Sequence, residues 1–336
     1  MSGEAAAELE LSASNAAAYL RGRGIEARRV TELGGGVSNV VLLVESDRGR
    51  FVMKQALGKL RVEMEWLSDR RRILREAAAV RLLSKALPAG SVPSVVFVDE
   101  GNLLFAMTAA PEGSEPWKDR LLRGEIEEET ARKSGAMLAA VASYSWQDAA
   151  SEAAFGDQTV FYELRLDPYY RTTAARHPDL APRLEALLEW TASRQHCLVH
   201  GDWSPKNLLV LGGSVFAIDF EVIHYGDPSF DAAFLLNHLV LKSFYRPRSA
   251  DGYGHLARAF WNAYAAGLPA GCEWMEQAVI EHLACLLLAR IDGKSPAEYI
   301  RAEGLRARVR QFARKLIVST PGSIEELFKA VSTAAG

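Results

Sequence analysis

Alternating apolar and polar side chains dominate the N-terminal third of the chain. This period-two pattern is typical of half-buried β-strands, and it predicts one strand at 40–45 and a partner at 50–55. The segment Ser-Asp-Arg-Gly at 46–49 lies between them and predicts a hairpin turn. Two more strands are predicted at 92–99 and 103–107. This part of the chain is therefore predicted to be rich in antiparallel β-structure.

Helical spacing of apolar residues accounts for most of the remaining pattern. A short helix is predicted at 13–23, and a strongly helical segment at 69–87 stops at Pro88. Beyond residue 117 the chain is predicted to be mostly helical. The elements predicted there are helices at 125–143 and 180–195, short strands at 208–211 and 215–218, and helices from Phe230 onward with breaks at Pro247, Pro269 and Pro296.

A segment rich in turn-forming residues separates the two patterns. Residues 108–116 carry two prolines and one glycine. We therefore predict an N-terminal lobe over 1–110, a hinge over 111–116 and a C-terminal lobe over 117–336. The predicted fold class is α+β and two-lobed, with a small β-rich lobe, a larger mostly helical lobe and a ligand cleft at the hinge.

Composition and charge are those of an ordinary soluble globular protein. The 336 residues are 49% hydrophobic and 24% charged, and the formal net charge is −3. This balance gives no electrostatic reason to expect a nucleic-acid or membrane partner, and it leaves the oligomeric state open. The three cysteines are scattered, without metal-ligand spacing. The acidic N-terminal segment lacks the features of a signal peptide, so we expect a cytoplasmic protein.

The clearest chemical signal is the segment LVHGDWSPKN at 198–207, which is followed by AIDFE at 217–221. Phosphoryl transfer to a hydroxyl needs a carboxylate beside that hydroxyl, oxygen ligands for magnesium and a cation for the phosphates. A loop aspartate, an asparagine five residues later and a further aspartate after a short hairpin meet the first two needs. We predict that Asp202 orients the acceptor hydroxyl and that Asn207 and Asp219 bind Mg²⁺.

These segments resemble the aminoglycoside phosphotransferase and choline kinase superfamily, which shares the protein-kinase fold. The family pattern is His-Gly-Asp, four variable residues and Asn, then a magnesium-binding Asp, and each functional position matches here. The resemblance implies a kinase-like fold, ATP and Mg²⁺ as cofactors and a small-molecule hydroxyl as acceptor. His200, Asp227 and Asp231 are interpreted as structural, and Trp203 as either a substrate-stacking or a core residue.

The cation for the phosphates is predicted in the N-terminal lobe. Lys54 ends the strand Phe-Val-Met-Lys and resembles the strand lysine of kinases. That lysine contacts the nucleotide phosphates and pairs with a glutamate on a helix. Glu76 is the predicted partner, and Glu63 and Glu65 are the alternatives. We therefore expect Lys54 and Glu76 to lie within salt-bridge distance.

A glycine-rich turn precedes the predicted lysine strand. Its sequence at 34–39 is Gly-Gly-Gly-Val-Ser-Asn, and its backbone N–H groups are predicted to cover the nucleotide phosphates. This role depends on the position of the turn, because a run of three glycines also forms ordinary hairpin turns. The candidate cofactor-binding residues in it are Gly35, Gly36, Ser38 and Asn39.

The sequence does not assign the phosphate acceptor. The segments at 36–39 and 54–57 resemble methylthioribose kinases, whereas Asn207 and the Asp-Phe-Glu segment are closer to the aminoglycoside and choline group. We predict an ATP-dependent phosphotransferase that acts on a hydroxyl of a small molecule, with GTP left open as the donor. The alternatives are a catalytically weak nucleotide-binding regulatory protein and a protein kinase-like enzyme.

Overall fold

The structure of the protein, a computed structural model, describes residues 9–34, 39–57 and 69–336. Its Cα positions group into two compact units. The first unit comprises Met1–Lys85 and Val92–Pro111, and the second comprises Ala86–Ser91 and Glu112–Gly336. A hinge at 111–116 stays a prediction.

An antiparallel sheet with the strand order β1-β2-β3-β5-β4 forms the first unit. Its strands are β1 (Ala27–Glu32), β2 (Asn39–Ser46), β3 (Gly49–Ala56), β4 (Val95–Asp99) and β5 (Leu104–Thr108). The predicted hairpin is confirmed, because β2 and β3 pair from Asn39 opposite Ala56 to Ser46 opposite Gly49. Gly49 turns the chain with a φ of +100°, a left-handed conformation that favours glycine.

The strand β1 is absent from the sequence prediction. It lies at the edge of the sheet, and only Ala27 and Val30 of its residues are partly buried. An edge strand that is exposed on both faces has no alternation of apolar and polar residues to detect. Its pairing with β2 therefore decides its structure.

Two helices accompany the sheet, α1 (Ala16–Arg21) and α2 (Arg72–Ala86). Both lie inside the predicted segments and are shorter than predicted. Leu20 of α1 packs into one core with Leu42 and Met53 of the sheet, and all three are fully buried. Burial of this kind stabilises the unit by roughly 1.5–3 kcal/mol for each large apolar side chain.

The second unit is mostly helical. Its helices are α3 (Trp117–Arg123), α4 (Glu128–Ser145), α5 (Ala149–Phe155), α6 (Thr159–Phe161), α7 (Thr172–Arg176), α8 (Ala181–Ser193), α9 (Ser229–Tyr245), α10 (Ala250–Ala266), α11 (Met275–Asp292), α12 (Glu303–Val318) and α13 (Ile324–Ala335). The predicted breaks at Pro247, Pro269 and Pro296 all fall between helices. The helices α9 and α11 are buried almost all round and form the centre of this unit.

Short strands lie between α3 and α9. They are β6 (Glu115–Pro116), β7 (Cys197–Val199), β8 (Leu208–Leu211), β9 (Ser214–Ala217) and β10 (His224–Gly226). The strands β6, β8 and β9 form one antiparallel sheet, and β7 pairs with β10. The hairpin of β8 and β9 confirms the two short strands predicted on either side of Gly212-Gly213. The loops that join these strands carry the predicted catalytic segment.

A π-helical segment, Tyr162–Arg171, continues α6 into α7 and was not predicted. Pro168 lies inside it. Proline has no N–H group and its ring clashes with the preceding turn of an α-helix, so regular α-helical geometry is disfavoured here. The wider π-helical turn accommodates the proline, and such segments are frequent at functional sites.

Close helix contact in the second unit depends on Gly135 of α4. A Cβ atom at this position would lie 2.2 Å from the carbonyl oxygen of Phe260 on α10. Any side chain here would separate the two helices. In the part of the chain that the structure describes, no helix combines the length and the apolarity needed to cross a membrane.

Candidate active site

The predicted catalytic loop, 200–207, runs from the end of β7 to the start of β8. Gly201 bends it with a φ of +74°. A Cβ atom at this position would lie 2.7 Å from Cγ1 and 2.8 Å from the carbonyl oxygen of Val222. The glycine in the His-Gly-Asp segment is therefore required for both its backbone conformation and the close approach of the segment after β9.

Asp231, in the first turn of α9, holds the start of this loop. Its Oδ2 accepts a hydrogen bond of 2.6 Å from the N–H of His200, and its Oδ1 accepts one of 2.9 Å from Gly201. Burial raises the pKa of this carboxyl to about 7, against the opposing effect of the hydrogen bonds. The predicted structural role of Asp231 is thus confirmed.

Asp227 has a separate structural role at the start of α9. It accepts hydrogen bonds from the N–H (3.0 Å) and the Oγ (2.7 Å) of Ser229. The Nε2 of His282, on α11, lies 3.2 Å from its other oxygen. Burial alone would raise the pKa of Asp227, but His282 and Ser229 outweigh it and hold the pKa below its usual value. Asp227 therefore connects the helix start to the central helix α11.

His200 is a neutral structural residue. Its Nδ1 accepts a hydrogen bond of 3.1 Å from the N–H of Asp202, so its Nε2 carries the proton and donates to the carbonyl of Ile218 at 3.1 Å. Burial lowers its pKa to about 4. The side chain connects the catalytic loop to the end of the β8–β9 hairpin, and it is not a general base.

The carboxylate of Asp202 lies between two cations. Its Oδ2 is 3.0 Å from Nη2 of Arg165 and 2.9 Å from Nζ of Lys206. Burial would raise the pKa of Asp202, but Lys206 and then Arg165 outweigh it and lower the pKa below the usual value. Asp202 is therefore ionised at neutral pH. Lys206 is half exposed, whereas Arg165 is buried.

Arg165 is a site residue that the sequence prediction missed. It belongs to the π-helical segment, and its Nε donates to the carbonyl of Gly201 at 2.6 Å while its Nη1 donates to Leu164 at 2.7 Å. One guanidinium thus fixes both the backbone and the carboxylate of the catalytic loop. No local sequence pattern marks Arg165, because its role depends on the contact of the π-helical segment with the distant catalytic loop.

The two predicted metal ligands are attached to the same loop. Nδ2 of Asn207 donates to the carbonyl of Asp202 at 3.0 Å, which leaves Oδ1 as the atom that can act as a ligand. The backbone carbonyl of Asn207 also accepts a hydrogen bond of 3.0 Å from the N–H of Ile218, which directly precedes Asp219. The φ of Asp219 is +69°, a strained conformation for a residue with a side chain.

The donor set fits a magnesium ion that is shared with phosphates. Burial lowers the pKa of His200 and Lys206 lowers that of Asp202, and in both cases the negative charge of Asp219 acts in the opposite direction. Among the described residues there is no cluster of three histidine, cysteine or acidic side chains that would hold a metal without other ligands. One carboxylate and one amide oxygen are typical of Mg²⁺ sites that phosphate and water oxygens complete.

In the first unit, Lys54 and Glu76 form a buried ion pair. Nζ of Lys54, on β3, lies 2.8 Å from Oε1 of Glu76, on α2, and the side chains are 4% and 0% exposed. The expectation that they lie within salt-bridge distance is confirmed.

Asn39, a candidate cofactor-binding residue of the glycine-rich turn, begins β2 and is buried. The other predicted residues of this part lie outside the described residues: Gly35, Gly36, Ser38, Glu63 and Glu65.

Trp203 belongs to the core. It is fully buried, and its Nε1 donates a hydrogen bond of 3.1 Å to Oγ of Ser134 on α4. Its ring also contacts His200 at a centroid distance of 5.4 Å. Of the two interpretations that the sequence left open, the structure supports packing beneath the loop rather than stacking on a substrate.

Comparison with known sequences gives a family match. The sequence model described as Phosphotransferase enzyme family (APH) matches residues 29–274. The chain is also 28% identical over 265 residues to methylthioribose kinase 2 of Oryza sativa subsp. japonica, covering 70% of this chain and 61% of that protein. The chain spans less than two thirds of the length of the curated relatives that it matches.

Solved structures confirm the fold class. An amicoumacin kinase bound to AMP-PNP and Ca²⁺ superposes with a TM-score of 0.55 at 16% identity, over 89% of this chain and 91% of that chain. The streptomycin–ATP complex of APH(2")-IIa superposes with a TM-score of 0.54 at 15% identity, over 92% and 99% of the two chains. The fold is therefore α+β and kinase-like, with a β-rich and a mostly helical part, as predicted.

Proposed function

Because the chain belongs to the phosphotransferase enzyme family, we propose that it transfers the γ-phosphate of ATP to a hydroxyl of a small molecule. The observation that carries the proposal is the constellation around Asp202. A buried, ionised carboxylate lies on a loop whose backbone is fixed by Asp231 and Arg165. A protein that only bound nucleotides would have no need to hold an acceptor-orienting carboxylate in place.

Asp202 acts on the acceptor hydroxyl. Phosphoryl transfer passes through a loose transition state, so the nucleophile needs orientation more than deprotonation. A carboxylate whose pKa is held low by neighbouring cations suits this task, since it accepts the hydroxyl hydrogen bond and receives the proton late. Arg165 keeps the carboxylate in position, and the half-exposed Lys206 is free to move aside or to contact a transferred phosphoryl group.

Asn207 and Asp219 are the residues that would hold Mg²⁺, which neutralises charge on the phosphates when it is bound. Lys54 would contact the phosphates, and Glu76 fixes the direction of its ammonium group. The methylthioribose kinase relatives support a small hydroxylated molecule as acceptor. The aminoglycoside and choline kinases that the sequence resembles act on acceptors of the same general kind.

The test is acceptor-dependent ADP formation. Purified protein receives ATP and Mg²⁺ together with sugars, methylthioribose, choline-like and amino alcohols, hydroxy acids, sugar phosphates or aminoglycosides. We expect at least one acceptor to stimulate ADP formation, EDTA to stop it, and Asp219→Ala to abolish it without unfolding the protein. A near-normal rate in Asp219→Ala contradicts the metal assignment. ATP binding without turnover of any acceptor would instead indicate the nucleotide-binding regulatory protein.

A further inference from the structure

Helix α9 carries a buried lysine that the catalytic constellation does not use. The side chain of Lys242 is 0% exposed. Its ammonium lies 3.5 Å from the carbonyl of His238, one turn earlier, and 5.2 Å from the ring centroid of Tyr299. Among the described residues, no carboxylate oxygen lies within 4.0 Å of it. A buried cation without a counter-ion is costly, so its presence needs an explanation.

The surroundings of Lys242 are cationic. Burial lowers the pKa of His238, on the same helix face, well below its usual value, and the charges of Lys242, Arg290, Lys206 and Lys118 lower it further. Of these four cations, Lys206 is paired with Asp202 and Lys118 with Glu298, whereas among the described residues no carboxylate forms an ion pair with Lys242 or Arg290. Like charges gathered at one place repel each other unless an anion joins them.

Nearby acids do not neutralise this cluster. Glu298 and Asp119 favour the charged form of Lys242, but only from beyond ion-pair distance. Glu298 is itself paired with Lys118. Burial, with the repulsion from Lys118 and Arg290, still lowers the pKa of Lys242 to about 7. The nearby acids therefore do not compensate the burial of Lys242.

Two buried donors beside Lys242 also have no hydrogen-bond partner among the described residues. They are the Nε–H of Arg290 and the hydroxyl of Tyr299. The other end of the Arg290 guanidinium is held by Ser295, whose carbonyl and Oγ lie 2.5 and 2.8 Å from Nη1. Arg290 is thus fixed at one end and leaves an unused donor at the other, which is the arrangement of a site prepared for an acceptor group.

The cluster is continuous with the catalytic loop. Nη1 of Arg290 lies 3.3 Å from the hydroxyl of Tyr169, on the π-helical segment. Arg290 and Arg165 together lower the pKa of Tyr169 against the effect of its burial, so both guanidinium groups lie near it. Arg165 in turn binds Asp202. Arg290 and Asp202 are therefore connected through Tyr169 and Arg165, which belong to the same π-helical segment.

We propose that Lys242 and Arg290 form an anion subsite for the phosphate acceptor, which is a small alcohol that also carries a carboxylate or phosphate group. This inference rests on the proposed phosphotransferase function and specifies its acceptor. The hydroxyl lies at Asp202, and the anionic group pairs with Lys242 and accepts from Arg290 and Tyr299. Polycationic aminoglycosides are disfavoured, because the cluster repels them.

The test is binding of two series of matched alcohols in the presence of a non-hydrolysable ATP analogue and Mg²⁺. One series is glycerol, glycerate and glycerol 3-phosphate, and the other is ribose, ribonate and ribose 5-phosphate. We expect an anionic member of at least one series to bind at least about tenfold more tightly than its neutral parent, which corresponds to 1.4 kcal/mol. The stronger of the two anionic members identifies the group.

The variant Lys242→Met keeps the length of the side chain and removes its charge. It should lose the preference for the anion, while nucleotide binding and folding are retained. Lys329 is an exposed lysine on α13 that is paired with Glu325. Lys329→Met is therefore the matched control, and it should change neither the preference for the anion nor nucleotide binding. A Lys242→Met protein that still prefers the anion, or a wild-type protein that binds neutral and anionic alcohols equally, would overturn the subsite.

The two proposals fail in different ways. Turnover of a neutral or cationic alcohol that Lys242→Met leaves unchanged would overturn the anion subsite and support the phosphotransferase. Anion binding that depends on Lys242, with no ADP formation from any alcohol, would support the subsite as a binding site and overturn the phosphotransferase.

Discussion

Two buried ion pairs, one in each compact unit, are built in different ways. Lys54 and Glu76 lie on a strand and a helix, with 2.8 Å between Nζ and Oε1. Asp202 and Arg165 lie on a loop and on a π-helical segment, with 3.0 Å between Oδ2 and Nη2. Regular secondary structure positions the first pair, whereas hydrogen bonds to the loop itself position the second.

This difference indicates different roles for the two pairs. Glu76 is fully buried and pairs with the ammonium group of Lys54. This burial favours a permanent contact that fixes the direction of the lysine side chain. Asp202 shares its carboxylate with the half-exposed Lys206, so one of its partners can leave without unfolding the loop. In the proposed mechanism, the first pair orients a cation for the phosphates, and the second holds a carboxylate for an acceptor that replaces Lys206.

The largest effect on activity is expected for Asp202→Asn. Asparagine keeps the shape but cannot receive the proton, so kcat should fall by roughly 10²–10⁴-fold, the range of a positioned acid–base group. The Kd for ATP should change little. Steady-state kinetics beside nucleotide titration measure both, with Asp179→Asn as a surface control. Equal loss of ATP binding would make Asp202 a nucleotide or metal ligand, and full turnover would remove the central element of the proposed mechanism.

Glu76→Gln should have the largest effect on stability. The substitution removes the negative charge of Glu76 from the buried Lys54 ammonium, and breaking a buried ion pair in this way costs about 3–5 kcal/mol. Urea unfolding measures this loss. The double variant Lys54→Met with Glu76→Leu should recover much of the stability but not the ATP affinity. If the midpoint of urea unfolding were the same for Glu76→Gln and for the wild-type protein, the pair would have no structural role.

A smaller effect on stability is expected for Gly201→Ala. The left-handed backbone and the contact with Val222 should together cost about 1–3 kcal/mol and displace the catalytic loop, so activity also falls. Gly212→Ala, in the β8–β9 turn, is the matched control. Its φ is +52°, but no atom lies within 4 Å of the added Cβ, so it isolates the backbone cost. Equal losses in the two variants would show that the contact with Val222 is unimportant.

At neutral pH the smallest effect on stability is expected for Lys242, a buried lysine that forms no ion pair among the described residues. Its pKa of about 7 in the folded protein lies below the usual lysine value, so the unfolded chain binds more protons between these values. The contribution of Lys242 to stability should therefore increase as the pH rises from 7 towards 10, by at most about 1.4 kcal/mol per pH unit. Parallel curves of unfolding free energy against pH for wild type and Lys242→Met would contradict this.

The local patterns of the sequence were sufficient for the elements with strong periodicity and for the part of the site that is contiguous in sequence. The β2–β3 hairpin follows from alternation and turn residues, and α2 follows from its helical spacing and Pro88. The spacing of Asp202, Asn207 and Asp219 predicts one loop and hairpin because these residues are close along the chain. The ion pair of Lys54 with Glu76 was predictable because both lie on strongly patterned elements.

Only the tertiary structure decided the residues that act from a distance. Arg165 reaches Asp202 from a π-helical segment, and Arg290 approaches the same region from α11, although neither has a local pattern that marks it. Trp203 could equally have faced a substrate until the position of Ser134 placed it in the core. Neighbouring residues determine the backbone preferences of a short segment. The electrostatic environment of a buried charge depends instead on which distant segments the fold packs against it.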